Sequence, residues 1–358
     1  MKANVSMTLA LVLALAIVSG CAPAGVEPTA VAISTLPLPT QAEPAATEAP
    51  LHLKVGALSY ISFSPFYIAL QEGYFAEQNL DVELEIFSTA NAEVIPPLLQ
   101  RQMDVGTSAS SAQILNAIAQ GGVLKLVADK GYVNPDATCV SDGWVARNVL
   151  LDAGELTDFA SLRGKTVVGS QRTSFEYIFD EMLRRGGLTA ADVPTVEIRD
   201  NPTRLEALKT GTVDAAYFGE PWITRAANQS DAGIWVPYQD VVPGFPISMV
   251  VFGPSLLEDR PDVGVRFMAA YLKGVRQFME GKTDRNVELV AEFTQLTPEE
   301  LQQVCWNSFK LDGSVDTGIL ETLIQYNLDK GYTTAPLTVE QVWDPQFIEG
   351  AAALLGEQ

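Results

Sequence analysis

Hydrophobic and polar residues change their spacing in a regular way from Leu51 onward. The segment "LHLKVGAL" has the spacing of a strand, "SPFYIALQEGYFAEQ" has that of a helix, and "LDVELEIF" alternates strictly, as a strand does. Ser64 and Pro65 begin the helical segment, where serine can cap the first turn and proline is tolerated. The pattern therefore predicts a strand, a helix and a second strand at the start of the folded chain.

This alternation runs through most of the chain. It continues with helical "NAEVIPPLLQRQ" and "SSAQILNAIAQGG" and with strands "MDVGT" and "VLKLVADKG". After a less regular stretch it restarts at Gly164, with strands "GKTVVGS", "TVEIRD", "TVDAAYFG" and "GIWVPY" separated by helical segments. From about Arg260 only helical patterns follow. Repeated strand, helix and strand units predict parallel-rich sheets with helices on both faces, divided between two α/β lobes.

The N-terminal segment has the features of an export signal. Lys2 supplies the positive charge, and residues 7–20 form an apolar stretch that is too short for a membrane span. The motif "VSGC" at its end resembles the lipobox of bacterial lipoproteins, which implies acylation of Cys21. A plain secretory signal with an incidental cysteine is the alternative. Residues 22–50 contain six prolines and no lysine or arginine, a composition that predicts an unfolded tether.

Composition and charge exclude several classes of function. The formal net charge is −21, with 23 basic residues against 44 acidic ones, so a basic surface for nucleic acid is not expected. His52 is the only histidine, and the cysteines are Cys21, Cys139 and Cys305. These residues do not supply the ligands of a zinc site, and neither a metal nor a cofactor is expected. Cys139 and Cys305 could form a disulfide or remain as free thiols.

Four segments in order along the chain resemble a known family. They are "PFYIALQEGYFAEQNLDVELE", "LLQRQMDVGTSAS", "LRGKTVVGS" and "ALKTGTVDAAYFGEPW", and the resemblance covers about residues 53–281. The family comprises periplasmic-type binding proteins that serve ABC importers of nitrate, sulfonates, taurine and thiamine pyrimidine precursors. The resemblance implies the type II two-lobe periplasmic binding protein fold, with two hinge crossings that we place near residues 132–147 and 238–251.

The same resemblance implies an organisation for the whole chain. We expect a signal peptide at residues 1–20, the lipidated cysteine and tether at 21–50, the first lobe at 51–140 and 246–358, and the second lobe at 141–245. The protein would be a monomer, lipid-anchored on the extracytoplasmic face of the cell membrane. Its partners would be a small-molecule ligand and the permease and ATPase subunits of an ABC importer, and not nucleic acid.

Aromatic residues are concentrated where the first strand meets the first helix. Parallel α/β sheets bind ligands at the carboxyl ends of their strands, and Tyr60 and Phe63 lie at such an end. We therefore predict that these two rings line a binding cleft, together with the hydroxyl of Ser64. A core position is the better interpretation for the aromatic residues that follow, Phe66, Tyr74 and Phe75.

Small polar residues follow three of the predicted strands. Helices begin at these points, and their free N–H groups and positive dipole ends attract acceptors and anions. Helix capping explains any single hydroxyl equally well, but groups from both lobes together favour a polar binding floor. The residues assigned to this floor are Thr89, Asn91, Thr107, Ser108, Thr173 and Ser174.

The segment "GEPW" ends a fourth strand and supplies two more candidates. Glu220 can accept a hydrogen bond from a ligand, and Trp222 can either stack on a planar ring or pack between helix and sheet. Trp144, in the irregular segment "SDGWVARN", either contacts the ligand or packs the hinge. Arg172 is the single basic residue of the predicted lining. Such a lining favours a planar heterocycle, riboflavin or the thiamine pyrimidine precursor, over an aliphatic sulfonate, taurine or nitrate.

An enzyme is the competing class of function. A pyrimidine synthase resembles these binding proteins but depends on a histidine and a cofactor lysine, and His52 lies away from the expected cleft. No Gly-x-Ser-x-Gly motif, phosphate loop or Cys/His pair is present. A receptor's sensing lobe would require a membrane span and a signalling domain, and neither is expected here. The sequence therefore predicts a binding protein and not an enzyme.

Overall fold

The computed structural model describes residues 49–87 and 93–357. The strands in these residues are β1 (Leu51–Ala57), β2 (Leu80–Ile86), β3 (Val105–Ser108), β4 (Lys125–Asp129), β5 (Asp142–Arg147), β6 (Val167–Gly169), β7 (Thr195–Glu197), β8 (Ala215–Gly219), β9 (Ala232–Pro237) and β10 (Met249–Phe252). They form two sheets with the spatial orders β2-β1-β3-β10-β4 and β7-β6-β8-β5-β9. Both sheets are mixed, because β10 runs antiparallel to β3 and β4, and β5 runs antiparallel to β8 and β9.

Helices connect these strands in the predicted alternation. They are α1 (Ser64–Gln71), α2 (Tyr74–Glu77), α3 (Ile95–Leu99), α4 (Ala112–Ala119), α5 (Asn148–Asp152), α6 (Ser174–Arg185), α7 (Asn201–Thr210), α8 (Trp222–Gln229), α9 (Pro261–Met279), α10 (Asp284–Thr294), α11 (Pro298–Gln303), α12 (Thr317–Asp329), α13 (Val339–Val342) and α14 (Gln346–Leu354). α3 begins at Ile95, because Pro96 and Pro97 fit only a first helical turn. Among the described residues, no helix combines the length and apolar character that crossing a membrane requires.

Helices cover the first sheet on both faces. β10 shows this directly, since Val250 and Phe252 lie in one core whereas Met249 and Val251 lie in the other. Side chains alternate across a strand, so both faces of this sheet are buried. One core is completed by α1, α2, α9, α10 and α14, and the other by α3, α4, α12 and α13. We call the first sheet with these helices the first lobe.

The second sheet and its helices form the second lobe around a single core. Val145 of β5 and Ile178 of α6 belong to this core. The neighbouring helix α7 starts after Asp200, whose carboxylate accepts a hydrogen bond from the Thr203 N–H at 2.9 Å. It ends at Gly211, which has a left-handed backbone (φ 75°). These residues are the helix start and stop signals that the sequence pattern indicates.

Two segments connect the lobes, at residues 130–141 between β4 and β5 and at residues 238–248 between β9 and β10. The segment "SDGWVARN" had been interpreted as irregular, but its residues Asp142–Arg147 form β5 inside the second sheet. This strand is buried on both faces and therefore lacks the alternation that would have revealed it. A disulfide joins Cys139 to Cys305, with Cα atoms 5.8 Å apart, which decides between the two alternatives for these cysteines.

Candidate functional site

The lobes approach each other at the carboxyl ends of β4 and β8. β4 ends at Asp129 and leads into residues 130–141, and β5 begins at Asp142, paired with Gly219 at the end of β8. Parallel α/β sheets bind ligands at this end of their strands. We take the region between these strand ends as the candidate site and call it the cleft.

The turn after β1 brings one exposed and one buried aromatic ring to the cleft end of the first sheet. Tyr60 is 38% exposed, whereas Phe63 is only 3% exposed. Ser64 is buried and begins α1. Phe66 stacks on Tyr271 in the first-lobe core, with 4.6 Å between ring centroids. Phe63 belongs to the same core as Phe66, with 6.4 Å between the ring centroids, so of the two rings predicted to line the cleft only Tyr60 is exposed.

Lys130 is the most unusual residue of this region, and the sequence analysis did not identify it. It follows β4 directly and is 3% exposed. Its ammonium donates a hydrogen bond to the Ser62 hydroxyl at 3.1 Å and lies 3.3 Å from the centroid of the Phe63 ring. Burial lowers the pKa of Lys130 to about 7, although the nearby Asp129 and Asp142 oppose that shift. Lys130 is therefore a buried amine that titrates near neutral pH, and no ion pair with a carboxylate is formed by it within the described residues.

Two carboxylates lie near Lys130, the buried Asp129 of the first lobe and the half-buried Asp142 of the second. The Asp129 carboxylate accepts a hydrogen bond from the Lys310 N–H at 2.9 Å, and burial raises the pKa of Asp129 to about 7. The Asp142 carboxylate accepts hydrogen bonds from the Ser141 hydroxyl at 2.8 Å and from the Asn307 amide at 3.2 Å. Burial raises the pKa of Asp142 to about 6. A cluster of three ionisable groups, two buried and one half-buried, therefore spans the junction of the lobes.

Four serine hydroxyls at the cleft ends of helices are buried without a hydrogen-bond partner in the described chain. They belong to Ser64 at the start of α1, Ser110 and Ser111 just before α4, and Ser174 at the start of α6. Helix N-termini carry N–H groups without intrahelical partners, so these hydroxyls lie where the backbone also offers donors. A buried hydroxyl without a partner costs about 1 to 3 kcal/mol, which makes a group of them notable.

Two of the hydroxyls that the sequence predicts for the polar floor already donate hydrogen bonds to backbone carbonyls, unlike these four serines. Thr107 and Ser108 are buried within β3, and the Ser108 hydroxyl donates to the Ala109 carbonyl at 2.7 Å. The Thr173 hydroxyl donates to the Ser170 carbonyl at 2.8 Å. Of the predicted hydroxyls, those of Ser64 and Ser174 therefore remain without partners, and Ser110 and Ser111 join them.

The second lobe supplies the remaining candidates. Trp144 is 1% exposed, with Phe179 and Tyr217 at 5.5 and 5.8 Å between centroids, and its indole N–H has no partner in the described chain. Trp222 begins α8, and the guanidinium of Arg225 lies 4.8 Å from its ring centroid.

The carboxylate of Glu220 is occupied by its own turn. It accepts hydrogen bonds from the Thr224 N–H at 3.1 Å and from the Thr224 hydroxyl at 2.8 Å. The peptide bond between Glu220 and Pro221 is cis. Burial raises the pKa of Glu220, while the hydrogen bonds from Thr224 lower it.

The second lobe also contains a buried arginine that the sequence analysis missed. Arg204 is 8% exposed, and its guanidinium stacks on Tyr217 at 3.9 Å from the ring centroid. It donates hydrogen bonds to the Ile198 and Arg199 carbonyls, to the Asn201 side chain and to the Tyr217 hydroxyl. Arg172, the basic residue that had been considered, has a left-handed backbone and faces the Tyr332 ring at 5.2 Å. The predicted residues Thr89 and Asn91, and Cys21, lie outside the described residues.

Comparison with known proteins places this site in a family. The family model described as "NMT1/THI5 like" matches residues 61–282, which is more than half of the chain. The chain belongs to this family. A relative, the binding protein YtlA of Bacillus subtilis (strain 168), is 22% identical over 296 residues, which cover 82% of this chain and 80% of YtlA.

Solved structures show the same fold. The ligand-binding component of an ABC-type import system from Staphylococcus aureus, solved with zinc bound, has a TM-score of 0.66 and 13% identity, covering 84% of this chain and 99% of that one. The aliphatic sulphonate binding protein SsuA from Escherichia coli has a TM-score of 0.65 and 15% identity, covering 82% and 98%. The nitrate-binding protein NrtA from Synechocystis PCC 6803 has a TM-score of 0.68 and 15% identity, covering 86% and 89%.

These likenesses confirm the predicted fold class, two lobes of the periplasmic binding protein type. The desulfurization enzyme DSZB shares the fold as well, with a TM-score of 0.60 and 14% identity, covering 85% of this chain and 99% of that one. The fold alone therefore does not separate binding from catalysis. Within the described residues, no group of three or more His, Cys, Asp or Glu side chains could hold a metal ion.

Proposed function

We propose that this protein is the solute-binding component of an ABC importer and that it captures a small molecule between its two lobes. Family membership and a fold shared with binding proteins support this function. The observation that carries the proposal is the set of buried serine hydroxyls without partners, Ser64, Ser110, Ser111 and Ser174, together with the buried ammonium of Lys130. A ligand that supplies the missing partners would explain why both lobes keep such groups at their cleft ends.

The chemistry of the cleft favours a ligand with a compact anionic group. Lys130 contacts a hydroxyl and a ring in place of a carboxylate. The N-termini of α1, α4 and α6 add N–H groups and positive dipole ends, which stabilise anions. An aliphatic sulfonate, taurine or nitrate would supply such a group. The preference for a heterocycle rested on the aromatic residues of the predicted lining and on Arg172 as its only cation, and Lys130 removes the second of these reasons.

A planar heterocycle, such as riboflavin or the thiamine pyrimidine precursor, is the second candidate. The partly exposed ring of Tyr60 and the unpartnered indole N–H of Trp144 favour it, since they could stack on and donate to such a ligand. Against it, the Lys130 ammonium covers one face of Phe63 and the Arg225 guanidinium covers one face of Trp222. Stacking on Trp222 would be confined to its other face, and Phe63, which is buried in the core, offers no face to a ligand.

Binding, and not catalysis, is the activity that we assign to the cleft. The single histidine, His52, begins β1 at the end opposite the cleft, and its Nδ1 atom lies 3.0 Å from the exposed Asp81 carboxylate. The ionisable groups Lys130, Asp129 and Asp142 each have a contact that fits a role in holding a ligand or the hinge. A constellation of nucleophile and base is not needed to explain them.

The proposal extends to the parts of the chain around the lobes. It includes a signal peptide at residues 1–20, acylation of Cys21 and a tether to residue 50 that holds the protein on the extracytoplasmic face of the membrane. The lobes would comprise residues 51–140 with 246–358, and residues 141–245. The protein would deliver its ligand as a monomer to permease and ATPase subunits. Release of a Cys21→Ala variant from membranes would support the anchor, and continued membrane association would contradict it.

Native mass spectrometry of the full-length protein, purified in detergent from its own cells, tests the proposed function. A bound small molecule that dissociates on unfolding is the expected result. Calorimetry with taurine, nitrate, riboflavin and the thiamine pyrimidine precursor then distinguishes the ligand classes. Protein that carries no small molecule and binds none of these four solutes, but turns over a sulfinate or a pyrimidine precursor, would contradict the binding function.

A further inference from the structure

Three chain segments lie side by side at the hinge, although two are enough to connect the lobes. The third segment consists of residues 305–310, which follow α11 and lead back toward α12. Tyr132, in the first connection, forms bridges with Pro246 on one side and with Ser308 on the other. The Tyr132 N–H donates to the Ser308 carbonyl at 3.1 Å. We call residues 305–310 the strap.

The strap is attached to the cleft end of the second lobe by two hydrogen bonds. The Cys305 N–H donates to the Glu220 carboxylate at 3.4 Å, and the Asn307 amide donates to the Asp142 carboxylate at 3.2 Å. At its other end, the Lys310 N–H donates to Asp129 of the first lobe at 2.9 Å. These contacts are hydrogen bonds, which can break and re-form as the lobes move.

The strap is also joined to the first connection by the Cys139–Cys305 disulfide. Because this bond is covalent, it does not break as the lobes rotate, unlike the hydrogen bonds. Cys139 lies two residues before Ser141, whose carbonyl accepts a hydrogen bond from the Glu220 N–H at 2.8 Å, so it moves with the second lobe. The Cα atoms of the two cysteines are 5.8 Å apart, and a disulfide keeps such a distance below about 7 Å. The strap and the second lobe therefore cannot separate at this point.

We propose that the Cys139–Cys305 disulfide fixes the axis about which the lobes open and limits the range of that opening. With the bond intact, the lobes can rotate only about an axis that passes close to it. Without it, the strap is held to the second lobe by hydrogen bonds alone, so the strap can move away from that lobe and the lobes can also twist about their two chain connections. The disulfide then makes the width of the cleft sensitive to reduction.

The bond is accessible to a reductant. Cys139 is exposed, whereas Cys305 is 7% exposed. Both cysteines line a cavity of about 290 Å³ beside the hinge and an open groove of about 420 Å³ on the other side. A thiolate of an extracytoplasmic dithiol attacks the Cys139 sulfur and displaces the Cys305 thiolate, and the second thiol of the reductant then displaces Cys139. Two electrons pass to the protein, which gains two thiols, while the dithiol becomes a disulfide.

The test measures the distance between the lobes in the ligand-free, full-length protein by pulsed electron paramagnetic resonance. Spin labels are carried by genetically encoded non-natural residues at Glu288 of α10 and Glu206 of α7, whose side chains are 66% and 64% exposed. The samples are the oxidised protein, the same protein reduced with dithiothreitol, and a Cys139→Ala/Cys305→Val variant that fills the buried Cys305 site with an apolar side chain. Circular dichroism verifies folding.

The oxidised protein is expected to give a narrow distance distribution, and the reduced and substituted proteins broader ones, with mean distances larger by more than about 2 Å, as in domain rearrangements. Asn307→Ala is the matched control, because it removes a strap hydrogen bond and keeps the disulfide; it should retain the narrow distribution. Equal distributions in the oxidised and reduced proteins would overturn the proposal. So would an Asn307→Ala variant as broad as the reduced protein.

Discussion

The two lobes differ in how far their charged side chains already bond to other groups of the same lobe. In the first lobe, Ser64, Ser110 and Ser111 are buried with hydroxyls that have no partner in the described chain, and Lys130 has a hydroxyl and a ring beside its ammonium. These groups keep their hydrogen-bonding capacity free. Burying them without a partner costs stability, which is why we propose that the ligand supplies the partner that the first lobe lacks.

In the second lobe, most of the comparable groups already bond to one another. The Arg204 guanidinium donates to two carbonyls, an amide and a hydroxyl, and the Glu220 carboxylate accepts from Thr224. The hydroxyls of Ser174, Ser230 and Tyr238 and the indole N–H of Trp144 are the exceptions. Because satisfied groups gain little from a ligand, we expect the first lobe to hold the charged group of the ligand and the second lobe to close over it. The predictions below test this difference.

Replacement of Lys130 by methionine should have the largest effect. Methionine keeps most of the volume but removes the cation, and loss of one member of a buried charge pair costs about 2 to 5 kcal/mol, a weakening of at least about 30-fold for an anionic ligand. Thermal stability should not fall, because an unpaired buried ammonium is itself destabilising. Calorimetry and thermal unfolding measure the two effects. Lys54→Met, at an exposed site of β1, is the control, and an affinity equal to that of the control would contradict the role of Lys130.

The dependence of affinity on pH distinguishes an anionic ligand from a neutral one. Lys130, with a pKa that burial lowers to about 7, is charged below that pH and neutral above it. Affinity for taurine or nitrate should therefore be highest below pH 7 and fall by about tenfold per pH unit well above it. Ionisation of Asp129 and Asp142, whose pKa values burial raises to about 7 and about 6, acts in the same direction. Calorimetry between pH 7 and 9 checks this, and a flat profile for a bound anion would exclude Lys130 as its partner.

Only some of the groups in the first lobe could be predicted from the sequence. The helix start at Ser64 and the core position of Phe66 were predictable, because spacing and capping preferences are local. Lys130 was not, since "VADKG" is typical of a strand followed by an exposed lysine, and its burial depends on the turn of residues 61–63 that folds over it. Ser110 and Ser111 were treated as helix residues, because a sequence does not show which hydroxyls lack a partner.

The second lobe was harder to predict for a different reason. β5 lacks alternation because both of its faces are buried, so Trp144 was placed in an irregular segment. The bonds of Arg204 join residues that the chain brings together only in the folded turn before α7. The disulfide links cysteines 166 residues apart in sequence, a pairing that spacing cannot reveal.

Removal of the Ser111 hydroxyl should weaken anion binding less than replacement of Lys130 does. Ser111→Ala is expected to cost about 1 to 1.5 kcal/mol, or about five- to tenfold in affinity, since one hydrogen bond to the ligand is lost. Stability should be unchanged or slightly raised, because the hydroxyl has no protein partner. Ser255→Ala is the matched control: its hydroxyl is also buried without a partner in the described chain, but it lies after β10, away from the cleft. Equal affinity losses in the two variants would show that the loss in Ser111→Ala does not come from a hydrogen bond between Ser111 and the ligand.

Substitutions in the second lobe should have the smallest effects on an anionic ligand. Ser174→Ala and Trp222→Ala are each expected to weaken binding by about two- to threefold, mainly through faster dissociation, because this lobe closes over a ligand that is already held. Stopped-flow measurement of association and dissociation rates separates the two contributions. A loss of tenfold or more in Trp222→Ala would instead favour the heterocycle, whose stacking contributes about 0.5 to 1.5 kcal/mol beyond burial.

The most direct test of the account is a crystal structure of the protein with the ligand that copurifies with it. We predict an anionic group of that ligand within hydrogen-bonding distance of the Lys130 ammonium and of at least one hydroxyl among Ser64, Ser110 and Ser111, with the second lobe closed over the rest of the molecule. A ligand whose charged group lies against Arg172 or the second lobe, or a neutral ring that leaves Lys130 without a partner, would contradict this account.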